Sequence, residues 1–400
     1  MTDTSLKVIT IDELEPGMYV QEILEQSGQL KVKSKGRVTR QAIVAGLKAK
    51  GVKSVVIDPS RAFVPDEEPA PVVAQAEPAQ AEPEEPSPPL EEELTRAKKL
   101  HSQGKNIQKQ LLRAVQNGLP FDDTIPREFS QNLVASIDRN PDALLCLTKI
   151  REKDDYLLEH SLNVAILLAN FGRHLGMSDQ EVEDLAYSGF LHDIGKIQIP
   201  DEILHKPGRL TDEEMQVMKD HVRHGVEFLK EMDIDAALVR TVSEHHERLD
   251  GLGYPAGVKG DNISRQGRML AVADMYDALT ADRCYKAGMP SQKAFAILMA
   301  DSPERLDKEL VQQFIKCMGV YPVGSLVLLN NERLAMVIEQ TASALAPIVR
   351  VFYSVRNGHF LEPKDVDLSS DTALRIVKAA LGSDYRIDVN AFFNRAVAVA

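Results

Sequence analysis

Histidine and aspartate residues recur at helix ends and inside apolar stretches of this sequence, in the order H, HD, H, HH, D. Eight of the ten histidines lie between residues 160 and 246. An ionised carboxylate inside an apolar run such as LAVADMYDAL is costly unless it has a partner. The candidates are His160, His192, Asp193, His221, His245, His246 and Asp274. Imidazole and carboxylate groups suit Fe, Mn or Zn, and the set has too few oxygens for calcium, so it predicts a metal centre.

A single histidine near a helix end is more often a core or capping residue than a ligand, and only the whole set favours a metal. Four histidines lie in polar or surface-like contexts and are assigned no function: His101, His174, His205 and His359. Six or seven ligands exceed what one four-coordinate ion needs. Because a carboxylate can bridge two ions about 3.5 to 4 Å apart, the set predicts two metals. Asp193 is the candidate bridge, since His192 can bind one ion while Asp193 reaches both.

The stretch EHHERLDGLGYP, residues 244–255, places two histidines side by side. Neighbours on a regular helix point about 100° apart, so His245 and His246 can serve one site only where the helix is irregular. Gly251, Gly253 and Gly257 permit close approach of the backbone to a ligand or to a partner protein.

The length of the chain indicates several domains. Its charge disfavours a polyanionic partner such as nucleic acid. Four hundred residues exceed what one core usually organises. The net charge of −13 opposes binding to nucleic acid polymers or anionic membranes. The three cysteines are far apart and suit a reducing compartment. With no long apolar run and no signal-like start, we expect a cytoplasmic protein without membrane insertion.

The pattern along the chain predicts a multidomain α+β protein with a mainly α-helical catalytic domain. We divide it into a small α+β N-terminal domain (1–61), a disordered Pro/Ala/Glu linker (62–92), a helical connector (93–141), the catalytic domain (142–319) and a short β-containing C-terminal appendage (320–400). The N-terminal domain alternates β-like runs with the amphipathic stretch TRQAIVAGLKAK, which ends at Gly51 as a C-cap.

Local signals predict individual elements. Thr211 and Glu214 form a capping-box pattern ahead of an apolar stripe formed by Met215, Met218, Val222, Gly225 and Leu229. HSLNVAILLANFGRHLG and GRMLAVADMYDALTA are apolar nearly all round, which is typical of buried helices. GSLVLLNNERLAMVIEQ reads as two strands joined by a turn, and IVRVFYSV as a further strand.

The motifs HDIGK and HHERLDGLGYP, within the pattern H…HD…H…HH…D, resemble the HD superfamily of metal-dependent phosphohydrolases and specifically its HD-GYP subgroup. Members of that subgroup hydrolyse the bacterial messenger cyclic di-GMP. The resemblance spans residues 142–319. Residues 1 to about 60 also resemble the uncharacterised domain often found ahead of HD-GYP domains, which implies no chemistry.

Carried over by position, the resemblance implies an HD-type fold with two divalent metal ions, Fe or Mn. One ion would be held by His160, His192, Asp193 and Asp274, and the other by Asp193, His221, His245 and His246. Lys196 would approach the phosphate and act in catalysis together with Asp193. The implied substrate-binding residues are Gly253, Tyr254, Pro255, Arg283 and Lys286.

One departure from the family concerns a third metal, which some relatives hold with a glutamate four residues before the first histidine. Here that position is Tyr156. Glu159 is in the wrong phase to replace it, because it is adjacent to His160 rather than one turn away. We therefore predict two metals.

The resemblance implies hydrolysis of cyclic di-GMP to the linear dinucleotide pGpG, with GMP as the other endpoint. Two alternatives stay open at this point: a non-hydrolytic receptor for cyclic di-GMP or for a diguanylate cyclase, and a general HD nucleotide phosphohydrolase. An intact ligand set favours catalysis over the receptor. The resemblance also leaves open diguanylate cyclase (GGDEF) proteins as partners of the GYP loop, and a homodimer.

Overall fold

The computed structural model describes residues 6–26, 36–38, 41–59, 90–119, 121–149, 156–281, 288–371 and 373–388. Two units make up the chain. The first comprises Met1–Pro88, Leu111–Asp123 and Glu231–Asp233, and the second Pro89–Gln110, Thr124–Lys230 and Ile234–Ala400. No helix of the described ranges is long and apolar enough to cross a membrane.

The described part of the first unit contains an antiparallel sheet, a short helix and residues 111–117 at the end of a longer helix. The strands are β1 (Lys7–Thr10), β2 (Tyr19–Gln26), β3 (Gly36–Arg37) and β4 (Val52–Ile57), in the order β1-β4-β2-β3, and the helix is α1 (Gln41–Ala49). Ile9 and Ile23 both pair with Val55 of the central strand and turn toward a core shared with α1. Gly51 follows the helix with φ of +77°, a conformation that favours glycine. The predicted strands, helix and C-cap are confirmed.

The predicted linker, residues 62–92, meets a long helix at its end. Helix α2 covers Leu90–Asn117, so residues 90–92 are helical, and residues 62–89 lie outside the described part of the chain. Three glutamates, Glu91 to Glu93, occupy the first turn of α2, where negative charge complements the helix dipole. Glu93 is buried and accepts hydrogen bonds from Ser136 and Arg139.

The second unit is mainly helical up to residue 318. After α2 come α3 (Thr124–Arg139), α4 (Pro141–Leu147), α5 (Tyr156–His174), α6 (Asp179–Leu191), α7 (Asp201–Leu204), α8 (Asp212–Glu231), α9 (Ala236–Ser243), α10 (Arg265–Thr280), α11 (Ser291–Asp301) and α12 (Lys308–Met318). Short 3-10 helices cover Ile194–Gln198 and Gly260–Asn262. This helical arrangement confirms the predicted fold class.

Helices α5 and α10 are buried, as their all-round apolar sequences predict. Leu162 to Ala169 of α5 and Met269 to Asp274 of α10 are buried on every face. Helix α6 packs closely on α5 because Gly189 has no side chain. A Cβ there would lie 2.7 Å from Leu168 Cδ1 and 3.1 Å from the Ala165 Cα.

The capping box at the start of α8 is confirmed. Thr211 N donates to Glu214 Oε2 at 2.7 Å, and Glu214 N donates to Thr211 Oγ1 at 3.2 Å. The predicted apolar stripe is buried only from Val222 onward, two turns later than expected. Met215 is 40% exposed and Met218 is half-buried, whereas Val222, Gly225 and Leu229 are buried.

The C-terminal part of the second unit is an antiparallel sheet. Its strands are β5 (Leu326–Leu329), β6 (Arg333–Glu339), β7 (Ile348–Ser354), β8 (His359–Asp367) and β9 (Ile376–Ala380), in the order β8-β7-β6-β5-β9. The predicted hairpin around Asn330 and Asn331 is confirmed by the pairing of Val327 with Ala335. The strand predicted in IVRVFYSV is β7.

Candidate metal centre

The seven predicted ligands converge on one buried site, although they come from five separate segments of the chain. His160 lies on α5, His192 caps the end of α6, and Asp193 precedes the 3-10 helix Ile194–Gln198. His221 lies on α8 and Asp274 on α10, while the histidine pair follows the end of α9. Six of the seven residues are buried, and His246 is half-buried.

The two oxygens of Asp193 face two different groups of ligands. Its Oδ2 lies 3.4 Å from His160 Nε2 and 3.3 Å from His192 Nε2. Its Oδ1 lies 3.5 Å from His221 Nε2. This is the geometry that a bridging carboxylate needs.

The remaining distances divide the ligands into overlapping triads whose donor atoms lie within 4.8 Å of one another. The triads are His160, His192 and Asp274; His192, Asp193 and His245; and His221, His245 and His246. Asp274 faces three histidines: its Oδ1 lies 3.0 Å from His160 Nε2 and 3.9 Å from His192 Nε2, and its Oδ2 lies 3.8 Å from His246 Nδ1. The overlap leaves the division between two ions a prediction.

The adjacent histidines both reach the site because the helix has ended. Helix α9 stops at Ser243 and Glu244 is its C-cap, so the next two residues are free of the regular 100° rotation. The rings of His245 and His246 lie 4.0 Å apart at 43°. They approach the His221 ring to 5.6 Å and 5.1 Å.

Backbone carbonyls select the tautomer of three histidines. In each case Nδ1 lies within hydrogen-bonding distance of the carbonyl oxygen three residues earlier, which leaves Nε2 as the free donor to a cation. The distances are 2.8 Å from His192 to Gly189, 2.7 Å from His221 to Met218, and 2.6 Å from His245 to Val242.

The carboxylate that orients His160 was not among the predicted site residues. Asp277 Oδ2 lies 2.7 Å from His160 Nδ1, and this contact sets the ring and directs Nε2 into the centre. Paired carboxylate and histidine groups of this kind are usual behind metal ligands. The spacing of Asp274 and Asp277, three residues apart on one helix, was the available signal.

Burial keeps most of these imidazoles neutral, as metal ligands must be. Burial lowers the pKa of His221 to about 4 and that of His246 to about 3, and with the neighbouring imidazoles it holds the pKa of His245 well below the usual value. His160 differs. Burial lowers its pKa, but hydrogen bonds to Asp274 and Asp277 outweigh burial and raise it to about 9. A cation bound at its Nε2 therefore displaces a proton.

The carboxylates are ionised despite being buried. Burial raises the pKa of Asp193, but the charges of His192 and Lys196 outweigh it and hold the value well below the usual range. Burial likewise opposes ionisation of Asp274, and the hydrogen bond from His160 lowers its pKa.

Two buried donor atoms are unsatisfied, which fits a cation. His192 Nε2 and Asp193 Oδ1 make no hydrogen bond to any described residue. A buried unsatisfied polar group costs about 1–3 kcal/mol, and more when it is charged. Five imidazoles and two carboxylates around such atoms form a donor set for divalent transition metals.

Lys196 lies beside the centre. Its Nζ lies 2.5 Å from Asp193 Oδ2, and its side chain is 20% exposed. The 3-10 helix that carries it presses against α8, since a Cβ on Gly195 would lie 2.0 Å from His221 O and 2.4 Å from Gly225 N. This glycine contact brings Asp193 and His221 together, and nothing in the local sequence pattern predicted it.

The GYP residues fold back over the histidine pair. The Tyr254 ring lies 4.7 Å from the His246 ring, and Tyr254 N donates to His246 O at 3.1 Å. The Tyr254–Pro255 peptide bond is cis, and Pro255 is exposed. Gly253 packs closely against the backbone of residues 246–248 rather than against a ligand, because a Cβ there would lie 2.5 Å from Arg248 N.

Comparison with protein families identifies two regions. An HD domain model matches residues 145–310, and the model of a domain of unknown function, DUF3391, matches residues 6–123. The protein named cyclic di-GMP phosphodiesterase PA4108, from Pseudomonas aeruginosa, is 36% identical over 91% of this chain and 89% of its own length. The chain belongs to the HD-GYP family.

Other HD-GYP relatives share only part of the chain. The cyclic di-GMP phosphodiesterase response regulator RpfG of Xanthomonas campestris is 38% identical over 46% of this chain and 51% of its own length. The 3'3'-cGAMP-specific phosphodiesterase 3 of Vibrio cholerae is 37% identical over 42% of this chain and 37% of its own. This chain thus spans about half or less of these two relatives.

Three predicted features of this HD-GYP protein concern residues beyond the centre. Arg283 and Lys286 lie outside the described residues. Tyr156 opens α5, one turn before His160. Glu159 lies next to His160 and contacts Lys105 Nζ at 3.3 Å.

Proposed function

We propose that this HD-GYP protein is a hydrolase that cleaves cyclic di-GMP to pGpG in bacterial second-messenger signalling. One observation carries the proposal: the seven candidate ligands converge in a chain that aligns over 91% of its length with a cyclic di-GMP phosphodiesterase. The intact set favours catalysis over the receptor alternative. The names of the relatives disfavour a general nucleotide phosphohydrolase.

The proposed cofactor is a pair of divalent ions, Fe or Mn. Such ions, when bound, activate water and neutralise charge on phosphoryl oxygens during in-line displacement. Asp193 is the proposed bridge, because its two oxygens face His160 and His192 on one side and His221 on the other. We propose no third ion, because residue 156 is tyrosine. More than two ions per chain by elemental analysis of the purified protein would overturn this number.

Lys196 is the proposed catalytic cation. Its ammonium group already touches Asp193, which it helps to keep ionised. The same group is partly exposed at the edge of the centre, so a phosphate oxygen of the substrate can contact it from the solvent side. There it stabilises the negative charge that develops on the phosphoryl group.

The GYP loop forms the proposed substrate side of the centre. Tyr254 offers an aromatic surface next to His246, suited to a guanine base, and Lys219 Nζ lies 5.2 Å from the Tyr254 ring centroid. Gly253 and Pro255 flank it. Arg283 and Lys286 remain predicted phosphate and guanine contacts, since guanidinium offers a planar fork and ammonium a point charge.

Location and partners follow from the proposed substrate. Cyclic di-GMP is a messenger inside bacteria, so we place the protein in the cytoplasm. Leu252, which precedes the GYP residues, is 75% exposed and suits contact with a GGDEF protein. A homodimer is equally compatible with this surface.

Turnover by purified protein tests the proposal. Full-length protein reconstituted with Mn or Fe(II) should convert cyclic di-GMP to pGpG, and Asp193→Ala should reduce the rate at least a thousandfold. Asp220→Asn is a matched control, since Asp220 is half-exposed and pairs with Arg223 on the helix that carries His221; it should retain activity. If wild type and Asp193→Ala both bind the nucleotide and neither forms pGpG, the receptor alternative is correct. A parallel assay with 3'3'-cGAMP decides whether the protein prefers cyclic di-GMP or 3'3'-cGAMP, the substrates named for its relatives.

A further inference from the structure

The residue after the histidine pair, Glu247, is a buried carboxylate aimed at the GYP loop. It is 4% exposed. Its Oε1 accepts hydrogen bonds from Ala256 N at 2.7 Å and Gly257 N at 3.1 Å, and its Oε2 accepts one from Val258 N at 2.9 Å. Three consecutive backbone amides thus converge on one side chain. Hydrogen bonds to an ionised acceptor are roughly twice as strong as neutral ones.

These bonds close the loop against the segment from which it starts. The loop leaves after Glu247, Gly253 packs on the backbone of residues 246–248, and Tyr254 N donates to His246 O. The carboxylate of Glu247 then accepts hydrogen bonds from residues 256–258, where the loop returns. The GYP residues are held from both sides, with Glu247 as the anchor of the returning side.

The anchored residues include the ring closest to the centre. Tyr254 lies only two residues before the first amide that Glu247 binds, and its ring faces His246 at 4.7 Å. Ala256 and Gly257 are exposed, so their own side chains provide little burial to hold this part of the loop. The carboxylate of Glu247 is therefore the main contact that fixes it.

We propose that Glu247 is a positioning residue that sets the affinity for substrate by holding Tyr254 beside the metal centre. This inference rests on the proposed function. Glu247 itself does not touch the reacting atoms, and it acts through the loop. Its removal should weaken substrate binding more than it slows the chemical step.

The test compares Glu247→Gln with Asp307→Asn in the full-length, metal-loaded protein. In Glu247→Gln the side-chain amide keeps one accepting oxygen but presents N–H groups to backbone donors, so at least one anchoring bond is lost. Asp307 is the matched control, because its carboxylate also accepts two backbone amides, those of Glu309 and Leu310, at the start of a helix without candidate ligands. Glu247→Asp, which keeps the charge but shortens the reach, is the second variant.

Three measurements report the result. In Glu247→Gln, amide hydrogen exchange across residues 254–260 should accelerate at least tenfold, and the KM for cyclic di-GMP should rise about tenfold. The kcat should fall less than threefold, and metal content should stay that of wild type. Asp307→Asn should change neither loop exchange nor KM. Glu247→Asp should resemble Glu247→Gln.

Each contrary outcome has a distinct meaning. Unchanged loop exchange in both Glu247 variants would overturn the anchoring, whatever the activity of the wild-type protein. Faster exchange with unchanged KM would overturn the role in substrate binding, as would an equal fall in metal content and kcat. A wild-type protein that exchanges slowly at the loop yet neither binds nor cleaves cyclic di-GMP would instead overturn the proposed function.

Discussion

The metal centre and the GYP loop lie against each other but are held in different ways. Each ligand of the centre lies on a helix or directly next to the end of one, and nearly all of the ligands are buried. A carbonyl or carboxylate orients most of the imidazoles. The loop has little regular structure, and one carboxylate binds its returning side at residues 256–258. Many independent contacts thus hold the ligands of the centre in place, whereas few contacts hold the loop. Single substitutions should separate the two.

Metal removal should have the largest effect and should act on the centre alone. We expect a chelator to abolish turnover, by at least a thousandfold, and Mn or Fe(II) to restore it. Hydrogen exchange across residues 254–260 should stay slow, because the bonds of Glu247 do not involve the ligands. Mass spectrometry with and without chelator checks this. Exchange that accelerates on metal removal would mean that the loop is held through the centre.

Gly195→Ala should damage the centre through its scaffold. The added Cβ would meet His221 O at 2.0 Å, and overpacking of this kind costs about 1–3 kcal/mol. We expect a lower Tm and reduced metal content. Gly225→Ala is the control on the facing helix, because its Cβ would find its nearest neighbour at an ordinary 3.5 Å. Equal Tm values for the two variants would contradict the close contact.

Asp277→Asn should weaken the centre without rearranging it. The amide is the same size but lacks the charge that orients His160 through its Nδ1. Changes to such partners typically cost about 10–100-fold in metal affinity. Competition with a chelator of known affinity measures the loss, and Asp220→Asn should show none. Loop exchange should be unaffected, in contrast to Glu247→Gln.

Acidity should have the smallest of these effects, as measured by the stability of the metal-free protein. Unfolded histidine takes up a proton near pH 6.5, whereas burial holds the pKa of His221 at about 4 and that of His246 at about 3. Between these values the unfolded state binds more protons, so stability falls as the pH drops. For His160, whose pKa is raised to about 9, stability is complete below pH 6.5 and is lost as the pH rises toward 9. The Tm of the metal-free protein should therefore peak near pH 6.5. A Tm that rises steadily from pH 4 to 9 would contradict these shifts.

The candidate metal ligands could be identified in the sequence because buried charge is rare. Asp274 inside an apolar helix and histidines at helix ends required a shared explanation, and the structure brings all seven together. The groups that support them could not be read in this way. Glu247 looks like an ordinary surface carboxylate in the sequence, and Asp277 shares the apolar stretch of Asp274. Only the contacts of the folded chain assign each of these carboxylates to its partner. The sequence likewise gives no sign that Gly195 packs against α8, where a Cβ would meet the backbone of His221.

By itself the sequence determined the residue types of the centre, the buried helices α5 and α10 and the two small sheets, because burial patterns and costly buried charges are local properties. The tertiary structure alone decided three further matters. It turned both oxygens of Asp193 to different ligands, it released His245 and His246 from the helix so that both face His221, and it placed Glu247 under the returning loop. Each depends on contacts between residues that only the folded chain brings within hydrogen-bonding distance, and the spacing of residues along a chain does not specify such contacts.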